Sequence, residues 1–235
     1  MKENKTLIFP KRSLNKNIIT YMLTKKTFDN LDLNLFKNED KKKLEKLIPY
    51  PIAWMNQVHG TNIQKIENPS CQTFKATDGI YTQLSNQVLA IKTADCIPLV
   101  LASSNGQEIA ALHVGWRGMS KGIIEKSMEI FSSNSESLTA WLGPSISIDN
   151  YEVGEEVYKA FQRNPDSKAS FVKKKFKGII YFNLEAEAKR RLINYGVEII
   201  TGNYCTYTDT QFFYSFRRNG SKKRMITVVW RKNEE

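Results

Sequence analysis

A chain of 235 residues, 41% of them hydrophobic and including 12 Phe, 10 Tyr and 4 Trp, can bury one sizeable core and is not a disordered polypeptide. Its longest apolar run, residues 97–102, is far too short for a bilayer-spanning helix, so no membrane role is expected. The net charge of +11 favours anionic ligands, yet the lysines fall in short runs at 41–43 and 173–175 without interleaved aromatics, which reads as solvated surface rather than a nucleic-acid interface.

The opening residues, MKENKTLIFPKRS, carry charge but no apolar signal region and no small-residue cleavage site, so a cytoplasmic location is expected. Strand-like pieces follow at residues 6–9 and 17–23, then an amphipathic helical stretch at 39–47 that ends before Pro49 and Pro51. Short segments rich in Val, Ile and Leu, bounded by Gly, Asn, Asp or Ser, come next at 61–66, 79–82, 87–92, 97–101 and 107–114, and should form a sheet. Helical spacing returns at 120–131, with Ile123, Ile124 and Met128 on one side, and again at 153–161 and 184–195, where Gly196 suits a C-cap. A last strand at 224–230 alternates too weakly for an edge position, which implies burial within a sheet. No repeat and no linker divides the chain, so residues 1–235 are expected to be a single α+β domain with mixed or antiparallel sheets flanked by helices.

The chain has only two histidines, His59 in NQVHG at 56–60 and His113 in HVGWRG at 113–118, both in glycine-bearing, turn-like settings. Between them Cys96 follows Asp95 and opens the apolar run IPLVLA. Two imidazoles and a thiolate from separate strand ends suit zinc, and three protein ligands with a fourth position open is the arrangement of catalytic sites. Spacing alone equally fits two ordinary histidines and a buried structural cysteine. Cys71 and Cys205 complete an odd set too sparse for a disulfide framework, and both read as structural thiols.

NQVHG, TADCIPLVLA at 93–102 and HVGWRG, in that order, resemble the three signature stretches of the laccase-domain family, also called the multicopper polyphenol oxidase-like or purine nucleoside phosphorylase family. LDLNL at 31–35, ATDGIYT at 76–82, WLGP and YEVGEEV within 141–157, and CTYTDTQFFYSFRRNG at 205–220 also look like family stretches. The resemblance implies a fold like that of cysteine deamidases, zinc on His59, Cys96 and His113 with copper as the alternative, and phosphorolysis of adenosine, inosine and methylthioadenosine with adenosine deamination beside it. Copper-dependent phenol oxidation is the older family label, and editing of peptidoglycan precursors is a further role the family suggests. SISID at 145–149 departs from relatives that carry glycine and cysteines before YEVG, although those cysteines are not among the three ligands.

Purine nucleoside and phosphate are thus the expected partners. Arg117, four residues after His113 beside flexible glycines, can present a bidentate guanidinium to phosphate, or else pair with a surface carboxylate. Asn34 and Gln57 join it as candidate catalytic residues that would hydrogen-bond ribose hydroxyls or the base, or else satisfy turn backbone. Phe213 and Arg218 are candidate substrate-binding residues: Phe212, Phe213 and Tyr214 with Arg217 and Arg218 read as a base-stacking wall with a basic rim, or as core packing. Asp95 could orient a ligand histidine, although strand alternation would turn it away from Cys96. The rival activity is a metal-free hydrolase in which His113 or His59 activates Cys96 as a nucleophile.

Overall fold

The computed structural model describes residues 6–31, 44, 48, 50–174 and 178–233. One six-stranded sheet runs in the order Leu7–Ile8, Ile18–Leu23, Met225–Arg231, Val88–Thr93, Ile52–Met55 and Thr73–Phe74. A second is ordered Glu198–Thr201, Leu138–Leu142, Ile97–Ser103, Ile109–Val114, Gly79–Thr82 and Ile63–Ile66. Both are mixed: Ile52–Met55 runs parallel to Val88–Thr93, and Leu138–Leu142 parallel to Glu198–Thr201, whereas the central pairs are antiparallel. Glu152–Val153, Ile179–Phe182 and Phe171–Lys174 form a small antiparallel third sheet.

Side-chain alternation assigns the layers. Along Ile97–Ser103, Val100 and Ala102 join the core of the first sheet with Trp54, Ile91 and Val228. Ile97, Leu99 and Leu101 instead pack with Ile123, Ile124, Leu184 and Leu192 of the helices. The second sheet is therefore covered on both faces, and all seven residues of Ile97–Ser103 are buried. Met225–Arg231 is buried throughout and lies between Ile18–Leu23 and Val88–Thr93, as its weak alternation implied.

The α+β expectation holds, with local differences. The helical stretch at 120–131 is interrupted at Gly122, whose φ of 88° ends Trp116–Ser120 and lets Ile123–Ile130 restart in a new direction. The stretch at 153–161 is a strand end followed by the helix Glu155–Phe161. Leu184–Ile193 closes on Gly196 at φ 72°, where Val197 N–H donates to Leu192 O at 3.2 Å. The helical stretch at 39–47 lies outside the described residues except Leu44, which is helical and buried. Among the described residues, no helix is long and apolar enough to cross a membrane.

Candidate metal centre and its cavity

Register brings the first two residues of the cluster together. Ile97 lies opposite Val114 and Pro98 opposite His113, so Cys96 and His113 meet at adjoining strand ends. His59 reaches them from the turn between Ile52–Met55 and Ile63–Ile66. The ligand atoms of His59, Cys96 and His113 all lie within 4.8 Å of one another, and the two imidazole centroids are 4.7 Å apart. Among the described residues this is the one group of its kind able to hold a metal ion. Two nitrogens and a thiolate sulfur form a donor set that fits zinc, or copper.

Asp78, a carboxylate the sequence reading passed over, organises the cluster. Gly79 pairs with Leu112, which sets Asp78 beside His113, and the His113 ring donates through Nδ1 to Asp78 Oδ1 at 2.8 Å. That leaves Nε2 as the ligand nitrogen. Asp78 is fully buried and also accepts the backbone N–H groups of Val58, His59 and Gly60 at 3.1, 2.9 and 2.7 Å. One carboxylate thus orients one histidine and pins the turn carrying the other. His59 sits at φ 60°, a left-handed conformation costing about 1–2 kcal/mol that these bonds offset. An acidic residue directly before a glycine and a buried strand was the available signal.

The glycines of HVGWRG have steric reasons. A Cβ on Gly115 would lie 2.9 Å from Cys96 Sγ and 3.0 Å from His59 Cδ2, and one on Gly118 would lie 2.7 Å from Gly60 O. Only bare backbone lets Trp116–Ser120 close over the cluster. Asp95, at φ 89°, does not orient a histidine. Its carboxylate accepts from Thr206 Oγ1 and Arg217 N, both at 2.7 Å, because the left-handed turn directs it away from Cys96 and onto the segment following Cys205.

Burial pushes the Cys96 thiol up, but the charge of His113 and hydrogen bonds from His113 and His59 outweigh it and bring it down to about 6. Burial alone would lower His113, yet the Cys96 thiolate and the Asp78 carboxylate raise it to about 9. Asp78 is itself held below its ordinary value, the bonds from His113, Gly60 and Val58 overcoming desolvation. The two shifts have one cause, since the Cys96 thiolate and the His113 imidazolium each favour the other's charged form.

The cluster opens into a cavity of about 480 Å³, a size that accommodates a small organic ligand. Arg117 is exposed on its wall and stacks 4.3 Å from the Trp116 ring. Gln57 also lines it, with its amide bridging Lys92: Nε2 donates to Lys92 O at 2.8 Å and Oε1 accepts Lys92 N at 2.9 Å. Asn34 lies outside the described residues. Two expected residues are not brought to the cavity. Phe213 is fully buried against Tyr204, and Arg218 donates to the carbonyls of Thr206, Tyr207 and Phe213, so chain packing and loop closure occupy them. Their neighbours Tyr214, Phe216 and Arg217 line the wall instead, with Tyr151, Lys223 and Arg224. Arg217 lies over the Tyr151 ring at 5.1 Å and donates to Glu152 O. Cys71 is exposed; Cys205 is buried and accepts from Ser147 and Asn150, and neither belongs to the cluster's donor set.

A family model described as multi-copper polyphenol oxidoreductase laccase matches residues 32–232. The chain is 37% identical over 184 residues to an Escherichia coli protein named purine nucleoside phosphorylase YfiH, covering 78% of this chain and 75% of the relative. A Haemophilus influenzae purine nucleoside phosphorylase is 33% identical over 186 residues, with the same coverage. The crystal structure of a Neisseria meningitidis protein superposes with a TM-score of 0.88 at 25% identity, covering 97% of this chain and 100% of the other.

Proposed function

Because the chain belongs to the multi-copper polyphenol oxidoreductase laccase family, whose relatives include purine nucleoside phosphorylases, we propose that it is a zinc-dependent purine nucleoside phosphorylase that also deaminates adenosine. The observation carrying this reading is the convergence of His59, Cys96 and His113 on the wall of a cavity rich in arginine and lysine. Adenosine, inosine and methylthioadenosine are the proposed substrates. A laccase needs several coppers, whereas two histidines in the whole chain supply one such centre, which supports zinc phosphorolysis over phenol oxidation.

Zinc, when bound, supplies Lewis-acid polarisation at the coordination position its three protein ligands leave open. In phosphorolysis the bond between C1′ and the purine nitrogen breaks and its electron pair stays with the base. A phosphate oxygen bonds to C1′, and the proton of hydrogen phosphate passes to the base. Arg117 binds the phosphate and holds it in line, and the bound anion neutralises the guanidinium charge that would otherwise oppose the positive charge building on the sugar. Tyr214 and Phe216 provide the apolar wall for the base. Gln57 keeps an amide hydrogen beyond its Lys92 bonds, assigned to a ribose hydroxyl; Asn34 is assigned the same role on sequence grounds. In deamination, water adds to purine C6 and ammonia leaves.

A second reading has its own observation: Cys96, His113 and Asp78 are ordered as nucleophile, base and orienting carboxylate. Elemental analysis of the purified protein, paired with product identification on adenosine with and without phosphate, separates the two. One zinc per chain, adenine dependent on phosphate and loss of activity on chelation support phosphorolysis. Full activity of the chelated protein on an amide or ester substrate would establish the cysteine hydrolase.

A further inference from the structure

The cations of the cavity fall into two groups. Arg117 and Arg217 stand where it meets a second hollow of about 530 Å³, beside Trp116 and Tyr151, which line both. Lys92, Lys223 and Arg224 line only the first cavity, on the side where Lys223 lies 5.7 Å from the Tyr214 ring and Tyr214 packs on Phe28. Inorganic phosphate on Arg117 engages the first group. Among the described residues neither Lys223 nor Arg224 pairs with a carboxylate, and the cavity's one aspartate, Asp95, has its carboxylate held by Thr206 and Arg217.

Arg224 is the informative member. Its guanidinium is half-buried, and among the described residues no carboxylate pairs with it. Nη1 donates to Ser221 O at 2.7 Å and Lys223 O at 2.9 Å, which fixes the plane of the group, while Nε and Nη2 have no partner among the described residues. Arg224 lines the same cavity wall as His59, Cys96 and His113. A partly desolvated guanidinium, held in place with donors to spare on a cavity wall, is a receptor for a phosphate rather than a solvated surface charge.

We infer that Arg224, with Lys223, forms a second anion subsite for a phosphate carried by the purine ligand itself, so that a nucleoside 5′-phosphate is bound in preference to the uncharged nucleoside. This rests on the reading that a purine nucleoside moiety occupies the cavity. Calorimetric titration of the purified protein with adenosine and with adenosine 5′-monophosphate, in phosphate-free buffer, tests it. The monophosphate should bind about tenfold tighter or more. Arg224→Gln should bring that advantage to within about twofold while adenosine still binds, Arg224→Lys should keep most of it, and Lys223→Gln, at an exposed position, should remove part of it. Equal, measurable binding of the two ligands by the native protein overturns the subsite alone. So does an advantage that survives Arg224→Gln, one abolished by Arg117→Ala instead, or a loss of adenosine binding in Arg224→Gln as large as that of the monophosphate. Absence of binding by both ligands overturns the purine reading, and the subsite with it.

Discussion

Replacing Asp78 by Asn tests whether one buried carboxylate assembles the candidate metal centre. Oδ1 accepts from His59 N and His113 Nδ1, and Oδ2 from Val58 N and Gly60 N. An asparagine has one acceptor oxygen, so either amide orientation serves two of these donors and turns an NH2 group toward the other two. With charge-assisted bonds at about 1.5–3 kcal/mol each, losing two costs about 3–6 kcal/mol. For a chain of this size that lowers the melting temperature by about 6–24 °C. If the amide oxygen takes the Oδ2 position, the His113 ring loses its acceptor; if it takes Oδ1, the His59 turn loosens. Either way zinc affinity should fall about 10–100-fold. The assay is competition for zinc with a chromophoric chelator, run well below the variant's melting temperature so that only folded protein is compared. Zinc affinity within about threefold of the native value would refute the assignment of Asp78 as the organiser, whatever the melting temperature does.

Gly115→Ala places a methyl group where Cys96 Sγ would be 2.9 Å away, so zinc content should drop below half an equivalent while far-ultraviolet circular dichroism is unchanged; full zinc occupancy would contradict the steric argument. Arg117→Ala should raise the phosphate Michaelis constant, or slow adenine formation, about tenfold more than it slows inosine formation from adenosine, because water carries no charge for the guanidinium to hold. Equal slowing of both products would remove the phosphate assignment. Burial raises Glu108, but bonds from Ser133, Tyr81 and Ser132 hold it below the ordinary value of 4.5. Its contribution is therefore complete above about pH 4.5 and lost as pH falls through the depressed folded value. Urea unfolding at pH 6 and pH 3.5 should show Glu108→Gln losing less stability between the two than the native chain, and an equal loss would place the acid sensitivity elsewhere.

Much of the second sheet was legible because its strands are short Val, Ile and Leu runs bounded by turn residues, as at 79–82 and 97–101. Ile52–Met55, Leu138–Leu142 and Glu198–Thr201 were passed over. The first two are buried at every position and the last pairs at a sheet edge, so none carries the polar alternation that marks a half-exposed strand. The interruption at Gly122 was hidden because apolar spacing continues across it. In the site, the histidines stood out by scarcity and Cys96 by its place before an apolar run. Asp78, Tyr151 and Arg224 did not, since their roles depend on strand register and on which face of a loop meets the cavity. Phe213 and Arg218 drew notice as an aromatic and a cation in one segment, but Phe213 is buried in the core and Arg218 is held by the carbonyls of Thr206, Tyr207 and Phe213, and the wall went to Tyr214 and Arg217.

The place of Met225–Arg231 in the middle of the first sheet bears on how the chain is made. Thr20 Oγ1 donates to Val228 O across 208 residues of sequence, and Ile18–Leu23 has no other route to Val88–Thr93. While a ribosome is still adding residues, the early strands and the Val88–Thr93 strand are two fragments with open edges between them. The sheet can close only once residue 231 has cleared the exit tunnel. Closure of so distant a pairing is slow and leaves apolar edges exposed in the interval. The same late strand follows directly on Lys223 and Arg224, so a nascent chain has His59, Cys96 and His113 long before it has that wall of the cavity.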